Sequence, residues 1–227
     1  IEVLARLLDD TSEVVPDDVL TGGQSREENR EYNQALMTDS KDQATKVALE
    51  RLGYEVPTVA TGATITDMDP TFPIAEVAHP LDTVVEADGT AISSADDLVA
   101  AIDGHQPGDP VELKLEPRAE GEARTVEVEM GANPDDPDDA MLGVSLVDRP
   151  EFEFPIDVSI DSGKVGGPSA GLAFTLAIID RLSPGDLTGD EKVAVTGTIR
   201  LDGSIGQVGG VPQKTEAAVD AGATLFL

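Results

Sequence analysis

The stretch Gly166-Gly167-Pro168-Ser169-Ala170-Gly171, running into Leu172-Ala173-Phe174-Thr175-Leu176-Ala177-Ile178-Ile179, constrains this chain more than any other. Small residues on both sides of a single serine let the backbone turn tightly and let another segment approach closely. The apolar run that follows has no polar face and reads as a buried helix. Pro168 suits the first turn of that helix, where its missing N–H costs nothing. Ser169 would then stand at the positive end of the helix dipole, beside backbone N–H groups able to hold an oxyanion. The same residues also read as a loop closed by a serine N-cap. Which reading holds depends on whether the chain supplies a base.

A serine hydroxyl becomes a nucleophile only when a base takes its proton. Gly167-Pro168-Ser169-Ala170-Gly171 fits the G-x-S-x-G nucleophile elbow, but that arrangement needs an acid and then a histidine after the serine. No histidine follows Ser169: His79 stands beside Pro80, and His105 sits in Gly104-His105-Gln106-Pro107-Gly108, both reading as surface or turn residues. The absence of cysteine removes disulfides, thiolate catalysis and thiolate metal sites. Lysine remains. Lys214, in Gly209-Gly210-Val211-Pro212-Gln213-Lys214-Thr215, falls in the first turn of a helix opened by Pro212, where the dipole disfavours an ammonium charge and burial would lower its pKa further. A solvated lysine on an amphipathic helix is the alternative. A phosphate-binding loop does not fit, because Gln213 occupies the place of the required glycine; the S-x-x-K arrangement is also absent. Lys164, on the serine loop itself, and Lys192, flanked by Asp190 and Glu191, remain as competing bases.

The chain carries 45 acidic against 15 basic residues, a formal charge of −30. Such a surface repels phosphate backbones and excludes nucleic acid as a partner. The acidity is spread along the chain and reads as a solvated surface of the salt-adapted kind. With 40% apolar but only 3% aromatic residues, the core must be aliphatic, and 227 residues leave room for two modules. No apolar run reaches the ~20 residues of a membrane span, and no signal peptide is visible. The chain opens on Ile1 and stops in Ala223-Thr224-Leu225-Phe226-Leu227, which reads as an unfinished strand. We therefore expect a fragment whose remaining ends hold an anchor or signal. The acidic run Asn133 to Asp139 lacks the glycine and terminal glutamate of an EF-hand and is interrupted by Pro134 and Pro137, so no metal is expected, and no cofactor.

Taken in order, the chain reads as α+β. Residues 1–56 form a helical segment with capping boxes at Ser25-Arg26-Glu27-Glu28 and Ser40-Lys41-Asp42-Gln43 and a stop at Gly53, a hairpin or broken helix expected to pack on the next module. Residues 57–131 form a small β-rich module. It has a strand Thr83–Ala87, a turn Asp88-Gly89, a helix capped by Ser93 or Ser94, and the alternating strands Val111-Leu113-Leu115 and Val126-Val128-Met130. Residues 132–140 are a polar linker. An α+β module, residues 141–227, opens with a strand in which Phe152, Phe154, Ile156, Val158 and Ile160 alternate, and it is left incomplete at its C-terminus. Within it Val193–Ile199 reads as a strand, Asp202-Gly203 as a turn, and Pro212 opens a helix ending at Gly222.

The middle module resembles a PDZ domain. Ile65-Thr66-Asp67-Met68-Asp69-Pro70 through Pro73-Ile74-Ala75 is similar to its strand and following turn, and Leu81-Asp82-Thr83-Val84-Val85-Glu86-Ala87-Asp88-Gly89 to its next stretch, with Leu81 where the family usually has glycine. The resemblance implies peptide binding by strand addition, in a groove near Thr58–Ile65 and the helix Ala95–Ile102. Residues 152–227 resemble the proteolytic domain of Lon-type peptidases. Gly167-Pro168-Ser169-Ala170-Gly171 and the block from Val195 through Thr196-Gly197-Thr198-Ile199 to Gly209-Gly210-Val211-Pro212-Gln213-Lys214 are similar to its two signatures. Together the modules resemble the membrane-anchored PDZ–Lon proteases of bacteria. The resemblance implies a Ser-Lys dyad with Ser169 as nucleophile and Lys214 as general base, Thr196 near the lysine, and oxyanion donors around Gly167 to Ser169. Gly166 replaces an aspartate common in ATP-dependent members, and no ATPase module is present, so ATP-independent cleavage of protein or peptide substrates is expected. The resemblance further implies a homo-oligomer, anchored outside this stretch to the extracytoplasmic face of the cell membrane. An idle, peptide-sensing domain is the alternative; a third possibility is self-processing.

Overall fold

The computed structural model describes residues 25–118, 121–189 and 191–227, and the helical expectation for residues 1–24 lies outside them. The fold is α+β and divides into two compact units, residues 57–153 and residues 1–56 with 154–227.

In the first of these units, β1 (Thr58–Met68), β2 (Thr83–Ala87), β4 (Pro110–Glu116), β5 (Arg124–Glu129) and β8 (Val144–Phe152) form a sheet of order β5-β4-β2-β1-β8, with the short β3 (Thr90–Ala91) paired to β2. Asp88 and Gly89, both at positive φ, close the β2–β3 hairpin as the Asp-Gly pair requires. The helix α2 (Ala95–Ile102) is capped by Ser94, whose hydroxyl accepts from the Asp97 N–H. Period-two alternation puts Val111, Leu113 and Leu115 of β4 in the core with Ile65, Ile74, Val84 and Leu98. Leu81 adopts φ +72°, the left-handed conformation for which glycine is the usual residue.

Three expectations change in this unit. The segment 132–140 is not an open linker: β6 (Gly131–Ala132) pairs with β7 (Ala140–Met141), and the acidic residues form the loop of that hairpin. The strand expected to run through Ile160 is instead β8, which ends at Phe152 and pairs with β1; from Phe154 the chain is irregular. The groove expected along Thr58–Ile65 is closed to strand addition at Ala63 and Thr64, where β1 has β2 on one side and β8 on the other, whereas Thr58–Ala60 pair with β8. The sheet edge in contact with α2 is β8, whose Asp148 carboxylate accepts the Ala95 N–H at 2.8 Å.

The second unit is built on α1 (Arg26–Arg51), a single 26-residue helix. Its capping box forms at Ser25, where Glu28 returns a bond to the Ser25 N–H, and Gly53 ends it at φ +89°. The second cap expected at Ser40 does not form. No glycine or proline interrupts residues 26–51, so the helix continues and Ser40 turns inward at 3% exposure. α1 belongs to the compact unit formed with residues 154–227. Its small Ala44 and Val47 pack against Ile199 and Phe174, on α3 (Gly171–Leu182) and the short strands of its own unit. Those strands are β9 (Val193–Ala194), parallel to β12 (Leu225–Phe226), and β10 (Thr198–Ile199), antiparallel to β11 (Ile205–Gly206). The Asp202-Gly203 turn closes β10–β11, with the Asp202 carboxyl held below its usual range by Ser204. The final helix, α4 (Val211–Asp220), starts from Gly210 at φ +66°, has Pro212 in its first turn, and stops at Gly222.

Candidate active site

The serine loop is held at its carbonyls. The Ser169 carbonyl accepts from the Gly197 N–H at 2.9 Å and from the Thr196 hydroxyl at 3.2 Å, while the Leu172 N–H donates to the Gly197 carbonyl at 3.0 Å. Gly197 is buried at φ +152°, and a Cβ there would come within 3.2 Å of the Leu172 side chain, so both the backbone and the close approach favour glycine. These bonds also explain why Val193–Ile199 is not one strand. The ladder beside β12 runs as far as the Thr196 N–H, which donates to the Leu227 carbonyl, and at Gly197 both backbone groups turn onto the loop.

Pro168 does not open the helix; α3 starts at Gly171, and Ser169 lies in the turn just before it. Ser169 is half-buried, and its N–H and that of Ala170 have no acceptor among the described residues. Gly167, at φ +84°, donates its N–H to the Asn33 carbonyl at 2.7 Å and is thereby occupied. The Pro168 carbonyl accepts from the Ser40 hydroxyl at 3.2 Å and from the Gly171 N–H. A loop fixed at Gly167, Pro168 and Ser169, with two adjacent N–H groups left over, can present a hydroxyl and a pair of oxyanion donors.

Lys214 lies in the first turn of α4, its N–H bonded to the Gly210 carbonyl, and its side chain is half-buried. Its amine has no hydrogen-bond or ion-pair partner among the described residues, and neither has the Ser169 hydroxyl. The Lys192 amine donates to the Ala221 carbonyl at the C-terminus of α4, where it serves the helix dipole. Lys164 is exposed. Thr196 is joined to the backbone of Ser169 and not to the lysine. Among the described residues no group of acids and histidines is placed to hold a metal ion.

Sequence reasoning does not single out Asn33, and it reads Ser40 only as a helix cap. A signal exists for Ser40: it stands four, seven and eight residues before Ala44, Val47 and Ala48, a polar residue on the apolar stripe of α1.

Residues 37–130 match the sequence profile of the PDZ domain, and residues 147–227 that of the Lon protease (S16) C-terminal proteolytic domain. The Lon protease of Ureaplasma parvum is 42% identical over 72 residues, covering 31% of this chain and 9% of the relative. That of Clostridioides difficile is 41% identical over 91 residues, 37% of this chain and 11% of the relative. This chain thus spans about a tenth of the length of these curated relatives. The PDZ domain of the SdrC-like protein from Listeria monocytogenes is similar at 22% identity and a TM-score of 0.35, over 38% of this chain and 88% of that one.

Proposed function

Starting from a chain that joins a PDZ domain to the proteolytic domain of the Lon-type peptidases, we propose that this protein is an ATP-independent serine endopeptidase. Ser169 attacks the scissile carbonyl and forms an acyl-enzyme. Lys214 takes the hydroxyl proton and returns it to the leaving amine. The Ser169 and Ala170 N–H groups receive the oxyanion. Thr196 keeps the loop in register through the Ser169 carbonyl, and Gly167 does so through Asn33. The observation that carries this reading is the serine loop itself: its carbonyls and the Gly167 N–H are committed to neighbouring elements, and the two N–H groups at the serine are not.

In the same reading, the PDZ unit captures an extended peptide by strand addition along the β8 edge beside α2. Pro150, which lacks an N–H, and the exposed Asp148 and Glu151 keep that edge from pairing indiscriminately. Assembly as a homo-oligomer, anchored at the extracytoplasmic face of a membrane, belongs to this proposal through the resemblance alone.

The test is degradation of unfolded casein without ATP. Ser169→Ala is expected to abolish turnover, and Lys214→Ala to lower kcat by about 10²–10⁴-fold. Hydrolysis that survives in Lys214→Ala but not in Ser169→Ala would remove the lysine from the mechanism. Casein bound but left intact by the unaltered chain would make this a peptide-binding protein.

A further inference from the structure

We propose that α1 is a positioning element of the peptidase site, acting through Ser40; this rests on the assignment of Ser169 as nucleophile. Helical hydroxyls ordinarily bond to a carbonyl one turn earlier on their own helix. Thr38 and Thr45 of α1 do so, to the Gln34 and Lys41 carbonyls. Ser40, between them and buried, departs from that pattern and spends its hydroxyl on the Pro168 carbonyl, 128 residues away in sequence.

About two turns earlier on the same helix, the Asn33 carbonyl takes the Gly167 N–H at 2.7 Å. These two bonds bracket the backbone that leads into Ser169. The packing behind them is close: a Cβ on Gly171 would lie 2.9 Å from the Ser40 hydroxyl, and one on Gly166 3.1 Å from Asn33. With Thr196 and Gly197 holding the Ser169 carbonyl, the nucleophile is fixed between α1 and the β9–β10 segment.

Ser40 and Asn33 lie outside the region matched by the proteolytic-domain profile, residues 147–227. In chain order the whole 57–153 unit stands between α1 and the loop it holds. The peptidase unit is therefore complete only when α1 is counted in it. Displacing a nucleophile by a fraction of an ångström costs turnover without weakening ground-state binding, so the effect belongs in kcat.

The experiment uses the full chain with a fluorogenic peptide and a fluorophosphonate that phosphonylates active serines with loss of fluoride, below the thermal transition of every variant. Ser40→Ala is expected to lower kcat and the phosphonylation rate together by about tenfold, with KM unchanged. Ser40→Thr, which keeps the hydroxyl, should stay within about twofold of the unaltered chain. If Ser40→Ala does not fold, Ser40→Cys, of similar volume and a weak donor, carries the same test. A kcat within about twofold for the hydroxyl-less variant, or a loss shared equally by Ser40→Thr, overturns the role of α1. Ser169→Ala separates the two assignments. An active Ser169→Ala removes the nucleophile, whereas an inactive Ser169→Ala beside a fully active Ser40→Ala removes only the positioning helix.

Discussion

Thr196 shows how one side chain can matter through the backbone of another residue. Its hydroxyl goes to the Ser169 carbonyl, so its contribution is to the conformation of the nucleophile's backbone. Thr196→Val keeps the shape and removes the donor. It is expected to cost about 1 kcal/mol of stability, read by urea denaturation, together with a fall in kcat at constant KM. A valine variant as stable and as active as the parent would mean that the Gly197 N–H alone holds the carbonyl. Leu81 is a second case at this scale. It stands where a glycine is usual, and the structure holds it at φ +72°. Leu81 thus sits in a conformation that costs an L-residue roughly 1–2 kcal/mol.

Among the elements, α1 is where sequence and structure differ most. Its N-terminus is legible, because a Ser with Glu three residues on satisfies two orphan N–H groups reciprocally. Its continuity through Ser40 is not, because Ser-Lys-Asp-Gln has the same capping form, and only the partner presented by the serine loop decides that the hydroxyl turns inward. Ser25→Ala should destabilise the unit by about 1 kcal/mol, measured as a shift of the urea midpoint at unchanged slope. A midpoint that does not move would show that packing alone sets the start of the helix. The irregular stretch after Phe154 makes the complementary point. Ile156, Val158 and Ile160 do alternate in burial with their neighbours, yet none of them lies in a described strand. Alternation reports which side chains face an apolar surface, and a ladder needs a partner as well.

At the scale of the whole molecule, the strongest constraint that composition imposes is charge. With −30 spread over 227 residues, self-repulsion opposes both compact units and is screened by salt. Raising ionic strength from about 0.05 to about 0.5 M shortens the Debye length severalfold and is expected to raise the melting temperature. A melting temperature that stays level or falls would show that the acids are already neutralised by local pairing. The boundaries between units follow contacts, not composition. The polar run at 132–140 looks like a linker, but its ends pair within the 57–153 unit. The PDZ profile begins at residue 37, inside α1, although that helix packs with the chain beyond residue 154.

Elements whose cause is local could be read in one dimension: the Ser25 and Ser94 caps, the Asp88-Gly89 and Asp202-Gly203 turns, the alternating β4, and the glycine-bounded α4. The same local reading nominates Ser169 and Lys214 as candidates, because glycine-rich stretches beside a serine and a lysine stand out, while Thr196 and Gly167 enter through the resemblance. Three features needed the chain to be folded. These are the place of β8 rather than β1 on the sheet edge beside α2, the commitment of the Gly167 N–H to Asn33, and the reach of Ser40 to the serine loop. The physical reason is the same for all three. A buried polar group must find a partner, and which partner it finds is set by chain segments that sequence distance does not relate.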